Sequence, residues 1–188
     1  MLQNPEESKK LANMRVQNQL EELGICCFCK ENDHILMWAH YTDNHLGVCL
    51  KFDVLEDHNL FFAGGYKPIG LVHNVEYRKK YPQLNVYNVL VEKAVTRILP
   101  FTKSNEWMYE KEFRLISSKL KGISFNKNAL VEVTFGCRIN EAPRFEGRKT
   151  KKAILKVLRE NKYSNIKYFQ ARPSPNRYEL EFEKLENI

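Results

Sequence analysis

The segment 107–114 concentrates side chains that could do chemistry. Its sequence, Trp-Met-Tyr-Glu-Lys-Glu-Phe-Arg, places two carboxylates and a guanidinium at alternating positions beside two aromatic rings. If the segment ends as a β-strand, Glu110, Glu112 and Arg114 point to one face, because side chains alternate along a strand. The pattern predicts either an internal ion-pair network or a charged site, and both interpretations stay open.

A second concentration of candidate residues lies between positions 36 and 50. Trp38, His40, Tyr41 and His45 stand there between two apolar elements. A histidine titrates near neutral pH, so His40 could act as a general acid or base. Alternatively, His40 and Tyr41 hold a helix against a sheet by hydrogen bonds. The two histidines are five residues apart, which is poor spacing for zinc on one helix, and no metal site is predicted.

The third candidate feature is a run of positive charge near the C-terminus. Eight basic and two acidic residues lie between Arg144 and Lys162, so this segment carries most of the net charge of +7. Such a run attracts phosphates, although a solvated helix face gives the same pattern. If it binds nucleic acid, the contacts are expected from Lys149, Lys151, Lys152, Lys156 and Arg159.

Length and composition limit the class of protein. A chain of 188 residues with 43% hydrophobic and 28% charged residues is typical of one globular domain. An odd number of cysteines without a disulfide spacing is typical of a reducing compartment. No apolar run approaches the ~20 residues of a membrane span, and the polar start lacks a signal-peptide core. We therefore expect a cytoplasmic protein without a membrane partner.

Periodicity predicts an α+β domain with a mixed or mostly antiparallel sheet and packed helices. Residues 1–24 hold an N-terminal helix and 25–188 the core, because strands and helices are interspersed without strict βαβ alternation. The predicted helices are 5–23, 34–42, 84–99 and 150–161. The predicted strands are 25–29, 47–52, 71–77, 113–117, 130–135, 166–171 and 178–182, of which the last two could form a hairpin.

Several common chemistries lack their motifs. The sequence has no G-x-x-x-x-G-K-[ST] loop, no G-x-G-x-x-G fingerprint and no G-x-S-x-G elbow. An ordinary nucleotide-binding fold and an α/β-hydrolase are therefore not predicted.

An ordered set of short segments carries a family resemblance. They are Cys-Cys-Phe-Cys at 26–29, Leu-Met-Trp-Ala-His-Tyr at 36–41, Gly-Val-Cys-Leu-Lys-Phe at 47–52, Val-Glu-Tyr at 75–77 and Trp-x-x-Glu-x-Glu-Phe-Arg at 107–114. The set resembles the bacterial family called domain of unknown function 2971. Cys29 replaces a serine of that family. The family's earlier segment with an F-N-D-P turn has no counterpart before Ile25, which predicts a fragment or a short member.

A broader likeness concerns the glutamate pair, which resembles that of ADP-ribosyltransferases. This likeness implies NAD as a substrate, with Glu112 stabilising the oxocarbenium-like transition state and Glu110 orienting the acceptor. Trp38 or Tyr41 would stack on nicotinamide, and Arg114 or Lys103 would bind a phosphate. His40 and Trp107 complete the predicted site. The competing hypothesis is a nucleic-acid-binding or protein-interaction module, in which the charged residues 110–114 are purely structural.

Overall fold

The computed structural model describes residues 4–61, 71–85, 87, 94–117, 122–144, 149–186 and 188. The predicted α+β class with a mixed sheet is confirmed. The chain divides into two compact units, the first formed by residues 1–30 with 59–124 and the second by 31–58 with 125–188. The assignment of residues 1–188 to one domain stays a prediction. Among the described residues, no helix is both long and apolar enough to cross a membrane.

The first unit begins with helix α1, Pro5–Glu21. Its start follows from the sequence, because the Asn4 side chain accepts a hydrogen bond from the Glu6 amide and Pro5 occupies the first turn. Ala12 is the residue that the helix buries, against Val95. Leu11, Met14 and Leu20 are instead exposed.

A three-stranded antiparallel sheet holds the first unit together. Strand β6, Glu112–Ser117, lies between β1, Gly24–Cys29, and β3, Leu71–Asn74. Leu115 and Ile116 of β6 are buried. The predicted strand 71–77 is interrupted at Val75, after which β4, Glu76–Arg78, pairs in parallel with β5, Thr102–Ser104.

Residues 86 and 88–93 of the predicted helix 84–99 lie outside the described residues. Its described part is a short helix, Ala94–Ile98, in which Val95 is fully buried. A 3-10 turn, Leu99–Phe101, follows and leads directly into β5.

A four-stranded mixed sheet forms the second unit. Its order is β2, Val48–Phe52; β7, Leu130–Phe135; β8, Lys167–Pro173; and β9, Leu180–Leu185. Only β7 and β8 run in parallel; the other neighbours are antiparallel, so the predicted C-terminal hairpin is confirmed. The last strand starts two residues later than predicted, which leaves Tyr178 in the hairpin loop.

Further helices follow α1 in the described part of the chain. Helix α2 is Ile35–Tyr41, α3 is His58–Phe61, α4 is the helix Ala94–Ile98 described above, and α5 is Lys151–Glu160. Helix α5 connects the parallel strands β7 and β8. Its start, the end of β8 and the hairpin loop therefore lie at the same edge of the sheet, since a crossover helix runs antiparallel to the strands that it joins.

Candidate functional site

Four charged side chains of the first unit form what we call the charged cluster: Lys103, Glu110, Glu112 and Arg114. Strand β5 supplies the lysine, the 3-10 helix Asn105–Glu110 supplies the first glutamate, and β6 supplies the other two. The Glu110 and Glu112 side chains are 1% and 6% exposed. Two positive and two negative groups make the cluster electrically neutral.

Glu112 lies at the centre of the cluster. Its Oε1 accepts a hydrogen bond from Nε of Arg114 at 2.7 Å, and its Oε2 accepts one from the same guanidinium at 3.1 Å. Lys103 Nζ donates to Oε2 at 3.1 Å and also bonds Glu110. The guanidinium further donates to the Pro100 carbonyl at 2.5 Å. Both oxygens of Glu112 are therefore engaged within the protein.

One expectation about this segment is wrong. Glu110 does not lie on a strand with Glu112, because it ends the 3-10 helix and strand β6 begins two residues later. Lys111 between them has a left-handed backbone with φ of 46°. The two carboxylates still meet, because both reach the ammonium of Lys103. Glu112 and Arg114 do share a face of β6, as alternation predicts.

The charges in the cluster control the protonation of Glu112. Burial raises the pKa of this carboxyl, but the hydrogen bonds from Arg114 and Cys27 and the charge of Arg114 outweigh it and lower the pKa to about 2. Burial likewise lowers the pKa of Lys103, yet the hydrogen bonds and charges of Glu110 and Glu112 raise it above its ordinary value. Glu112 and Lys103 are therefore both ionised at neutral pH.

Sequence reasoning missed two partners of Glu112. The Glu112 amide donates a hydrogen bond to the Tyr77 hydroxyl at 2.8 Å. Cys27, opposite Arg114 in the β1–β6 register, shares a side-chain hydrogen bond with Glu112. Burial and the carboxylate of Glu112 raise the Cys27 pKa to about 11, so this thiol is protonated and is a poor nucleophile at neutral pH. The cross-strand register is the only signal that could have found it.

Trp107 borders the charged cluster. The Lys103 ammonium lies 5.0 Å from the centroid of the indole ring, and the residue is 37% exposed. The expected grouping of Trp107 with Lys103, Glu110 and Glu112 is therefore present in the first unit. The indole therefore adds a cation–π contact to the ammonium of Lys103.

The aromatic segment 36–41 belongs to the second unit and forms α2. Trp38 is 2% exposed, packs with Ala171 and Leu180, and donates from Nε1 to the Asn32 carbonyl at 2.6 Å. Leu36 and His40 are exposed, and Tyr41 is 61% exposed. The helix has only seven residues, and Trp38 occupies its inward face.

A left-handed turn follows α2. Asp43, Asn44 and His45 have φ angles of 53°, 54° and 67°, which is unusual for three consecutive residues other than glycine. The His45 ring stacks on Trp38 with the centroids 6.4 Å apart. The His45 carbonyl accepts a hydrogen bond from the Arg138 amide at 3.1 Å, so neighbouring backbone holds the turn in place.

The basic segment forms α5 and its approaches. Thr150 caps the helix by accepting a hydrogen bond from the Ala153 amide at 3.1 Å, while Leu158 is buried. Lys152, Lys156 and Arg159 are exposed and lie on one helix face, because they are four and three residues apart. Lys149 is exposed just before the cap.

Lys151 differs from the other basic residues of α5. Its ammonium lies 4.8 Å from the centroid of the Phe135 ring and 3.4 Å from the Gln170 side-chain oxygen. Burial and the charge of Arg172 lower its pKa. This lysine therefore packs against the sheet beside a second cation rather than extending into solvent.

A cavity of about 490 Å³ opens at the hairpin loop of the second unit. Residues 173–180 form one side, and Ile35, His45 and Cys137 also line it. Among the residues that the structure describes, no three His, Cys, Asp or Glu side chains are grouped as metal ligands would be.

Comparison with known proteins concerns a central part of the chain. The model of the family described as "protein of unknown function (DUF2971)" matches residues 37–115. Residues 37–115 carry a DUF2971 segment. The family resemblance predicted from the sequence is confirmed for this segment. No curated protein and no solved structure matches the chain.

The DUF2971 segment contains most of α2, the left-handed turn and β2 in the second unit, and β3, β4, β5 and the first four residues of β6 in the first. The charged cluster lies inside it. Helix α5 and the hairpin loop lie outside it, so their functions are argued from this chain alone.

Proposed function

We propose that the second unit binds nucleic acid through the exposed face of α5. The observation that carries the proposal is the alignment of Lys152, Lys156 and Arg159 on one helix face, with Lys149 beside the helix start. The opposite face packs Ile154, Leu155 and Leu158 into the core. The cationic face is thus held in a fixed orientation by the burial of the apolar one.

The cationic face of α5 has few acidic residues near it in the sequence. Within the described segment 149–162, Glu160 is the one acidic residue, and it lies 3.7 Å from Lys156 in an exposed pair. Such exposed pairs contribute little, so Lys156 can exchange its partner for a phosphate at small cost. The phosphates of a nucleic acid attract these cations whatever the base sequence is. This favours binding through the sugar–phosphate backbone of the nucleic acid.

In this proposal the charged cluster is structural. Its four groups neutralise one another, and both oxygens of Glu112 are already bonded to Arg114 and Lys103. A network of this kind fixes the position of β6 relative to β5.

Fluorescence anisotropy with a labelled oligonucleotide tests the proposal. Three phosphate contacts predict an affinity loss of about 20- to 40-fold between 50 and 200 mM salt. The double variant Lys152→Glu with Lys156→Glu should abolish most binding. A variant with the same change at two exposed lysines of the first unit, Lys79→Glu with Lys80→Glu, is the matched control. Equal losses in both variants, or an affinity independent of salt, would contradict the proposal.

The second candidate function is ADP-ribosyl transfer or NAD cleavage by Glu112. The observation that favours it is that Arg114 and Lys103 both bond the carboxylate of Glu112 and lower its pKa, which keeps this group negative as an oxocarbenium-stabilising group must be. A ribose hydroxyl would have to replace Arg114 or Lys103 as its partner. Nicotinamide release from NAD measures this activity. Turnover that is present in the wild type and lost in a folded Glu112→Gln variant would establish it, and no release by the wild type would remove it.

A further inference from the structure

The hairpin loop between β8 and β9 presents an aromatic ring to solvent. Tyr178 is 102% exposed, so no other part of the fold covers its side chain. The loop that carries it is anchored, because the Ser174 amide donates to the Glu179 carbonyl at 2.9 Å and Pro173 pairs with Leu180. Pro175 further restricts the backbone of the loop. An aromatic ring is therefore held outward on a constrained support.

The same loop forms the wall of the 490 Å³ cavity. Tyr178, Asn176 and Arg177 line it together with the apolar side chains of Ile35 and Leu180. Its volume lies within the range of small-molecule pockets, and its lining combines apolar walls with a few polar groups. A lining of this kind is typical of sites that take an organic ligand with apolar faces and hydrogen-bonding edges.

Cationic groups lie at the same edge of the sheet as the loop. The connection β7–α5–β8 places the start of α5 at this edge. Lys151 at that start bonds the side chain of Gln170, which in turn donates to the Gly136 carbonyl at 2.9 Å. Gly136 precedes Cys137, which lines the cavity. Arg172 belongs to the strand that leads into the loop, and there it pairs with Glu183 at 2.5 Å in an exposed ion pair that a phosphate can replace at small cost.

We infer that the second unit prefers single-stranded nucleic acid, with an unpaired base stacked on Tyr178 at the cavity while the phosphates contact α5. The inference rests on the proposed function and names its substrate class. Base faces are hidden in a duplex and accessible in a single strand, and an exposed aromatic ring beside a cationic surface is the arrangement that binds them.

The experiment compares a labelled single-stranded 12-mer with the blunt duplex of the same sequence, by anisotropy at fixed salt. Tyr178→Ala should weaken single-strand binding about five- to a hundredfold and leave duplex binding unchanged. Tyr178→Phe should retain single-strand affinity, because the ring and not the hydroxyl stacks. Tyr81→Ala, which removes another exposed tyrosine at 73% exposure in the first unit, is the matched control.

The outcomes separate the two proposals. A single-strand preference that Tyr178→Ala removes supports the inference. Equal binding of both forms, or unchanged single-strand binding by Tyr178→Ala, overturns it while leaving the binding function of α5 in place. Binding of neither form overturns the proposed function and the inference with it.

Discussion

Arg114 donates two hydrogen bonds to the carboxylate of Glu112, at 2.7 and 3.1 Å, from a position two residues along the same strand. This paired contact explains why Glu112 stays charged although its side chain is 6% exposed. A buried carboxylate alone would gain a proton, whereas one bonded to a guanidinium and an ammonium remains ionised.

The first prediction concerns acid stability. The pKa of Glu112 is lowered from 4.5 to about 2 in the folded chain. Its ionised carboxylate therefore contributes fully to the stability of the fold above the pKa of the unfolded chain, and this contribution is lost as the pH falls toward the pKa of the folded chain. The wild-type free energy of unfolding should therefore decrease between pH 4.5 and pH 2. Urea unfolding at a series of pH values measures this, and Glu112→Gln should show a shallower decrease. Parallel profiles of the two proteins would contradict the lowered pKa.

The second prediction compares two lysines that pair with glutamates. Lys103→Met leaves Glu110, 1% exposed, without its ammonium, and we expect a loss of about 3–5 kcal/mol in the free energy of unfolding. Lys51→Met removes the 3.8 Å pair of Lys51, 65% exposed, with Glu132 and should cost less than about 1 kcal/mol. Chemical denaturation of both variants measures the difference. Similar losses would show that burial of the cluster does not matter to stability.

The third prediction concerns the backbone beside the left-handed turn. A Cβ added at Gly136 would lie 2.2 Å from the His45 carbonyl oxygen and 2.8 Å from its carbon, so backbone must move. Gly136→Ala should destabilise the chain by about 1–3 kcal/mol or more. Gly122→Ala is the matched control, because its Cβ would meet nothing within 4 Å. Thermal unfolding distinguishes them, and equal melting temperatures would show that the turn yields readily.

Local patterns predicted a large part of the fold. The start of α1 at Pro5 and the amphipathic spacing of α5 are each determined by neighbours in sequence, so local signals find them. The family segments were also found, because they occur in order along the chain.

Long-range contacts could not be predicted in this way. The sequence left an ion-pair network open for Glu110, Glu112 and Arg114, but it did not place Lys103 in that network. The likeness to ADP-ribosyltransferases assigned Arg114 or Lys103 to a phosphate instead. The mutual pairing of these four residues depends on the position of β5 and on the left-handed Lys111, neither of which has a periodic signal. The exposure of His40 has a similar cause, because Trp38 occupies the inward face of a short helix.

The last prediction concerns the charge beside the hairpin ring. Arg177 lies 2.6 Å from Glu179 in a pair that is 68% and 40% exposed, so the carboxylate reduces the positive charge available to a phosphate. Glu179→Gln should release the guanidinium and strengthen single-strand binding about two- to fivefold, the range that an exposed pair supports. Glu186→Gln breaks a similar exposed pair with Lys184 beyond the other end of β9 and is the matched control. Anisotropy titrations at 50 mM salt measure both. If the control strengthens binding as much as Glu179→Gln does, the gain reflects net charge and not the position of Arg177.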